Sequence, residues 1–193
     1  MSVLFWLGFG LLWIIVVVQG FALLEVLRQI GFIQKRLGPR QGALIMQGIV
    51  KGGDPLPELA GSAASDLRPA RWEDYLNPVF SVIVLLSTHC NVCRTIAGDL
   101  TRFAAEIKNE AAIIVLLDGK SDEVQEFIDK TQLDRRLVIL DEQKITAERL
   151  GVMWNPAAVT IRNGRLGEAA IINDLDQLEA LVETKEAEYA YAQ

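Results

Sequence analysis

Sulfur and imidazole ligands are scarce in this sequence, which has two cysteines and one histidine among 193 residues. A zinc site takes about four such ligands, so one chain does not supply enough of them. We therefore expect no metal site, and no motif indicates a cofactor.

Basic patches are also lacking, because the chain beyond residue 43 carries 15 basic and 24 acidic side chains, a net charge of −9. This acidity argues against nucleic acid as a partner.

Charge is absent from residues 3–24, a run of 22 positions. As a helix this run would extend about 33 Å, enough to cross the roughly 30 Å hydrocarbon core of a bilayer. A cleaved signal peptide is the alternative, but no basic residue precedes the run, and the run is long for such a peptide. We expect an uncleaved transmembrane helix that contacts membrane lipid through residues 3–24 and continues to about Lys35.

The two cysteines form one Cys-x-x-Cys motif. Cys90 and Cys93 follow an apolar run typical of a strand and precede a helical pattern. At this spacing the sulfurs can close a disulfide across the first helical turn, where free N–H groups and the helix dipole favour the thiolate of the first cysteine. The thiolate is the form that attacks disulfides. The motif favours a redox-active dithiol, and a purely structural disulfide is the alternative, although so short a loop adds little stability.

Strand and helix patterns alternate from residue 79 onward. The predicted strands are Val79–Leu86, Ala111–Leu117, Leu137–Leu140, Ala157–Ile161 and Leu166–Ile172. The predicted helices are Asn91–Lys108, Ser121–Thr131 with Ser121 as its cap, Ile145–Leu150 and Asp174–Ala187. Asn163-Gly164 between the last two strands predicts a hairpin. Glycine and proline residues in the preceding segment, 37–77, predict little regular structure there.

This order of elements, with Cys90 and Cys93 at the first helix, resembles the thioredoxin fold. The segment Gly151–Pro156 resembles the loop that carries the cis-proline of that family. The resemblance covers residues 50–188 and implies an α/β fold, with a mixed central sheet flanked by helices, to which the N-terminal transmembrane helix is added. The expected regions are an anchor and juxtamembrane helix at 1–36, a Gly/Pro-rich linker leading into the domain at 37–77, and a thioredoxin-like domain at 78–193.

Short stretches along most of the chain also resemble a narrower group. They are the apolar start, Arg28–Gly31, Arg36–Pro39 and Ile171–Leu181. They are similar to the MauD type, the thioredoxin-like accessory proteins of methylamine utilisation, and to TlpA-like disulfide reductases. This resemblance implies a membrane-anchored protein that helps to mature a disulfide-rich, quinone-bearing periplasmic dehydrogenase subunit.

The thioredoxin resemblance also implies roles for single residues. Cys90 is the expected nucleophile and Cys93 the buried resolving thiol. Pro156 is expected to pack against the pair, while Asn155 offers its backbone to a substrate segment; a plain proline at the start of a strand is the alternative. His89 replaces the usual aromatic residue before the first cysteine. It is expected either to contact the substrate and stabilise the thiolate when protonated, or to be an ordinary surface residue.

Two departures from the thioredoxin pattern bear on activity. Val84 stands where that family often has a buried acid, and Asn91-Val92 stand between the cysteines without proline or histidine. Two functions therefore stay open. One is a thiol–disulfide oxidoreductase that acts on an exported, disulfide-bearing client, with a possible electron donor in the membrane. The other is a non-catalytic accessory subunit of a membrane protein complex.

Two arguments oppose each other on the side of the membrane. Four basic residues between positions 28 and 40 follow the apolar run, and the positive-inside rule then favours a cytoplasmic domain. A dithiol whose partners carry disulfides is expected outside the cytoplasm. We expect a single-pass membrane protein with an extracytoplasmic domain, against the indication of the basic cluster.

Overall fold

The computed structural model describes Trp6, residues 9–21, Leu23, Val50 and residues 52–182. The chain divides into two compact units, Met1–Gly38 and Pro39–Gln193. Residues 9–21 of the first unit are helical and exposed. Within the part of the chain that is described, no helix is long and apolar enough to cross a membrane. Several positions of the expected span 3–24, and its continuation to Lys35, lie outside the described residues, so the anchor stays a prediction.

The second unit is built on a mixed sheet of six strands. They are β1 (Ser62–Ala63), β2 (Phe80–Ser87), β3 (Ala112–Asp118), β4 (Val138–Leu140), β5 (Ala157–Arg162) and β6 (Arg165–Ile171). The strands lie in the order β1-β4-β3-β2-β5-β6. Neighbours β2, β3 and β4 are parallel, whereas β1, β5 and β6 each run antiparallel to the strand they join. The mixed central sheet predicted from the sequence is confirmed.

Within the described part of this unit, four α-helices accompany the sheet. They are α1 (Asn91–Glu106), α2 (Ser121–Thr131), α3 (Ile145–Arg149) and α4, which covers residues 175–182 up to the end of the described chain. Ser121 is not the cap of α2, contrary to the prediction. Lys120 occupies that position, and the backbone N–H of Ser121 donates to Glu142 Oε1 at 3.2 Å. The helix itself spans Ser121–Thr131 as predicted, and only the identity of the cap differs.

The central strand β2 is buried along its whole length, which explains its continuous apolar sequence. Its side chains alternate between two faces of the sheet. Val82 and Val84 pack in one apolar cluster with residues of α1, α2 and α4, whereas Ile83 and Leu85 pack in a second cluster with residues of α3. Each large aliphatic side chain buried in this way stabilises the fold by about 1.5–3 kcal/mol. Helices thus cover both faces of the sheet.

The parallel strands β2, β3 and β4 end at one edge of the sheet, since the carboxyl ends of parallel neighbours lie together. The turn before Cys90 follows β2, and Gly119 follows β3. A Cβ on Gly119, whose φ is +155°, would lie 2.6 Å from the side chain of Thr88. The absence of a side chain at Gly119 therefore lets these two turns meet beside the Cys-x-x-Cys motif.

Candidate functional site

Cys90 and Cys93 form a disulfide at the start of α1, with their Cα atoms 5.2 Å apart. Cys90 is the N-cap of the helix, and the backbone N–H of Cys93 donates to its sulfur at 3.2 Å. Cys93 is completely buried, whereas Cys90 is half-buried. The two sulfurs are therefore unequal, and a partner can approach the pair only through Cys90.

The surroundings of Cys93 are apolar. Its side chain belongs to the same buried cluster as Val84, Ile96 and Ala97. Val84, at the position where the thioredoxin family often has a buried acid, is itself fully buried and offers no proton acceptor. Deprotonation of Cys93 in the reduced protein therefore receives no help from that position.

Within the described ranges, no group of three or more acidic, cysteine or histidine side chains is arranged to hold a metal ion.

Pro156 lies at the same edge of the sheet as the cysteines. The Asn155–Pro156 peptide bond is cis, Pro156 is buried, and its carbonyl accepts from the N–H of Ile172 at 3.3 Å. The next residue, Ala157, pairs with Leu85 near the end of β2. Asn155 and Pro156 are thus brought beside the strand end from which the Cys90 turn departs, with Asn155 partly exposed. Their role towards a substrate stays a prediction.

Three large apolar side chains near this edge are exposed. Val92, between the cysteines, is 41% exposed, while Met153 and Trp154, just before Asn155, are 55% and 45% exposed. Sequence reasoning did not single them out as site residues. The available signal was an apolar residue inside the motif and two more in the loop before the proline. Side chains of this kind are typical of surfaces that contact another polypeptide.

His89 lies at the surface, with 73% of its side chain exposed. Its Nδ1 lies 2.7 Å from the hydroxyl oxygen of Thr88 and 3.9 Å from Oε2 of Glu123. The Thr88 hydroxyl donates in turn to Glu123 Oε2 at 3.4 Å. Arg94 donates from its guanidinium to the carbonyl of Thr88 at 3.1 Å. Sequence reasoning missed these partners of His89, because Glu123 follows Thr88 by 35 residues.

An open pocket of about 290 Å³ adjoins His89. Its lining residues are Thr88, His89, Arg94, Glu123, Glu126, Phe127 and Lys130. The Lys130 ammonium hydrogen-bonds the Glu126 carboxylate, and this contact lowers the pKa of Glu126 below its ordinary value. Two of the lining charges are therefore already paired with each other on the surface of α2.

Comparison with known proteins identifies related sequences and folds. The model of the AhpC/TSA family matches residues 53–175. No curated protein matches the chain. Among solved structures, a protein described as thiol:disulfide interchange protein DsbE from Chlorobium tepidum has a TM-score of 0.59 at 20% identity, covering 72% of this chain and 97% of its own.

Two other solved structures show the same likeness. A secreted disulfide oxidoreductase of Mycobacterium tuberculosis has a TM-score of 0.53 at 18% identity, covering 70% of this chain and 96% of its own. A peroxiredoxin-like protein from Aquifex aeolicus has a TM-score of 0.53 at 17% identity, covering 70% and 87%. At these identities the likeness concerns the fold, which is thioredoxin-like α/β.

Proposed function

Because the chain belongs to the AhpC/TSA family, we propose that it is a thiol–disulfide oxidoreductase that works through Cys90 and Cys93. The observation that carries this proposal is the inequality of the two sulfurs. Cys90 is reachable at the N-cap of α1, whereas Cys93 is buried behind it. A pair of this kind can form a mixed disulfide with a partner and then release it, which a symmetric or fully buried structural disulfide cannot do.

The chemistry runs in two balanced exchanges. In the reduced protein the Cys90 thiolate attacks one sulfur of a partner disulfide, and the partner's other sulfur leaves with the electron pair. The Cys93 thiolate then attacks the Cys90 sulfur, which closes the Cys90–Cys93 bond and expels the partner as a second thiolate. The N–H of Cys93 at 3.2 Å and the helix start favour the Cys90 thiolate in the first step. The reverse sequence oxidises a partner dithiol.

The partner in this proposal is a polypeptide segment in extended conformation. Val92 offers exposed apolar surface within the motif and Trp154 in the loop before Pro156, and Asn155 offers backbone groups beside Pro156. Apolar side chains of the partner would contact the first two residues, and its main chain would bond to the backbone at Asn155. His89, at the surface next to Cys90, would contact the partner as well.

The finer proposal concerns location and client. We propose a MauD-type or TlpA-like protein that residues 3–24 anchor in a membrane, with an extracytoplasmic domain and an exported client that carries disulfides. Three observations support this proposal: the uncharged run, the short stretches of family resemblance, and the structural likeness to a secreted disulfide oxidoreductase of Mycobacterium tuberculosis. The regions 1–36, 37–77 and 78–193 belong to the same proposal. A membrane protein would supply the electrons.

The second candidate function is a non-catalytic accessory subunit of a membrane protein complex. Two observations favour it. The apolar packing of Cys93 with Val84 gives the resolving thiol no buried acid, and Met153 and Trp154 are apolar side chains that a permanent partner could cover. In this case the disulfide would stabilise the start of α1 without turnover.

Trapping of mixed disulfides tests the two candidates. A Cys93→Ser variant lacks the resolving thiol, so it should retain a client bound covalently through Cys90, and a reductant should release that client. Cys90→Ser is the matched control and should retain little. If neither variant captures a protein, and both still co-purify with one stable membrane complex, the accessory subunit replaces the oxidoreductase.

A further inference from the structure

Three polar side chains form a hydrogen-bonded series that ends at His89, the residue before Cys90. Glu123 Oε2 accepts from the Thr88 hydroxyl at 3.4 Å, and the Thr88 oxygen lies 2.7 Å from Nδ1 of His89. A carboxylate can only accept, so the arrangement that satisfies all three groups has the single hydroxyl proton of Thr88 directed to Glu123. The Thr88 oxygen then accepts from Nδ1–H of the ring. This series favours the imidazole with its proton on Nδ1.

Other hydrogen bonds hold Thr88 and Glu123 in place. Thr88 is 5% exposed, its N–H donates to the Asp118 carbonyl at 3.0 Å, and its carbonyl accepts from Arg94. Glu123 Oε2 also accepts from the backbone N–H of Lys120 at 3.2 Å. The hydroxyl and the carboxylate are therefore fixed, while the ring that they orient lies at the surface.

The other charged side chains around the ring are bonded to other groups, so Glu123 is the acidic side chain that interacts with the ring. Glu126 is paired with Lys130, and Arg94 is bonded to the Thr88 carbonyl. Among the described residues, none hydrogen-bonds Nε2 of His89. The ring therefore combines an engaged Nδ1 with a second nitrogen on an exposed side chain, and His89 directly precedes the reactive cysteine in the sequence.

We propose that His89 is the general base and acid for the partner's sulfur, and that Thr88 and Glu123 position its ring. This inference rests on the proposed oxidoreductase function. When a partner thiol attacks, Nε2 accepts the thiol proton, the partner sulfur bonds to the Cys90 sulfur, and the Cys90–Cys93 bond breaks with its electron pair on Cys93. In the reverse step the Cys93 thiolate attacks the Cys90 sulfur, and the departing partner sulfur takes a proton from the imidazolium.

Such a base is useful because ordinary thiols are mostly protonated near neutral pH. A thiol with a pKa of about 8.5 is only roughly 3% thiolate at pH 7. A base placed beside the attacked sulfur removes this limit, and the benefit disappears at a pH where the partner is already a thiolate. The catalytic histidine of serine hydrolases is arranged in the same way: a hydrogen bond orients one ring nitrogen, and the other nitrogen accepts the proton of the reacting group.

Nuclear magnetic resonance of the full-length chain tests the positioning, because His89 is the only histidine and its ring signals are unambiguous. The neutral ring should carry its proton on Nδ1. Glu123→Gln retains an oxygen for the Lys120 N–H but removes the carboxylate that accepts from the Thr88 hydroxyl, so it should shift the ring proton from Nδ1 towards Nε2. Glu126→Gln, on the same helix, is the control and should leave the position of the ring proton unchanged. A wild-type ring protonated on Nε2 would overturn the positioning.

Reduction of the oxidised full-length protein by glutathione tests the proton transfer. His89→Gln should slow the reaction about tenfold near pH 7 and should approach the wild-type rate at about pH 9.5, where glutathione is ionised. Glu123→Gln should show a smaller loss with the same pH dependence, and Glu126→Gln none. Equal pH profiles for wild type and His89→Gln would overturn this inference alone. A wild-type disulfide that glutathione does not reduce at any pH would instead overturn the proposed function.

Discussion

The side chain of Thr88 occupies the space that a Cβ on Gly119 would need, at a distance of 2.6 Å. The two residues follow neighbouring parallel strands, and their contact joins the turn before Cys90 to the turn before α2. The geometry of the motif therefore depends on Gly119, which is remote from the motif in sequence and has no side chain.

Gly119→Ala should destabilise the domain by about 1–3 kcal/mol, because the added methyl group collides with Thr88 at a positive φ. Denaturant-induced unfolding of the oxidised protein measures the change. Gly98→Ala is the matched control, since Gly98 lies in α1 with no neighbour within 4 Å of its added Cβ. That control should stabilise the protein by about 0.5–1 kcal/mol. Similar stabilities for the two variants would show that the turns do not meet as described.

Trp154→Ala should slow mixed-disulfide formation with an unfolded, reduced protein by about three- to tenfold, because apolar contact area next to the motif is lost. The reaction with glutathione should stay unchanged, since glutathione has no large apolar side chain to place there. Leu67→Ala, which removes an apolar side chain of similar exposure outside the site, is the control. Equal slowing by the two variants, or an effect on glutathione, would contradict a partner contact at Trp154.

The fold could be predicted from the sequence only in part. The run Val79–Leu86 identified β2, since a strand buried on both faces is continuously apolar. Asn163 and Gly164 have φ values of 51° and 72°, the two positive values that the predicted tight hairpin requires, and the hairpin between β5 and β6 is confirmed. The alternation of elements and the motif at the first helix were sufficient for the thioredoxin-like fold.

Other features had no local signal. β1 has only two residues and exists because Ser62 pairs with Leu140, a contact across the sheet that no short pattern specifies. The contact between Thr88 and Glu123 depends in the same way on two turns that meet after folding. Ser121 was expected to cap α2 from its residue type, but Glu123, which accepts from the Lys120 N–H, serves this end of the helix instead.

Alkaline pH should destabilise the domain through Tyr75. Partial burial, and then the nearby carboxylates of Asp66 and Asp74, raise the pKa of Tyr75 above its ordinary value of 10.0. The folded state thus favours the neutral phenol. Its contribution to stability is fully present below the ordinary pKa and is lost as the pH rises through the raised pKa. Tyr75→Phe should flatten this decline in unfolding measurements above pH 10. A decline of the same steepness in both proteins would show that Tyr75 is not its cause.

The midpoint potential of the Cys90–Cys93 pair, measured on the full-length protein in redox buffers with alkylation and mass analysis, tests the central claim most directly. An exchanging dithiol is expected above about −300 mV, with Cys90 alkylated faster than Cys93 once the bond is reduced. That order follows from the half-buried position of Cys90 and the complete burial of Cys93. A pair that stays oxidised below that potential, or reduced cysteines that react equally slowly, would contradict a thiol–disulfide oxidoreductase.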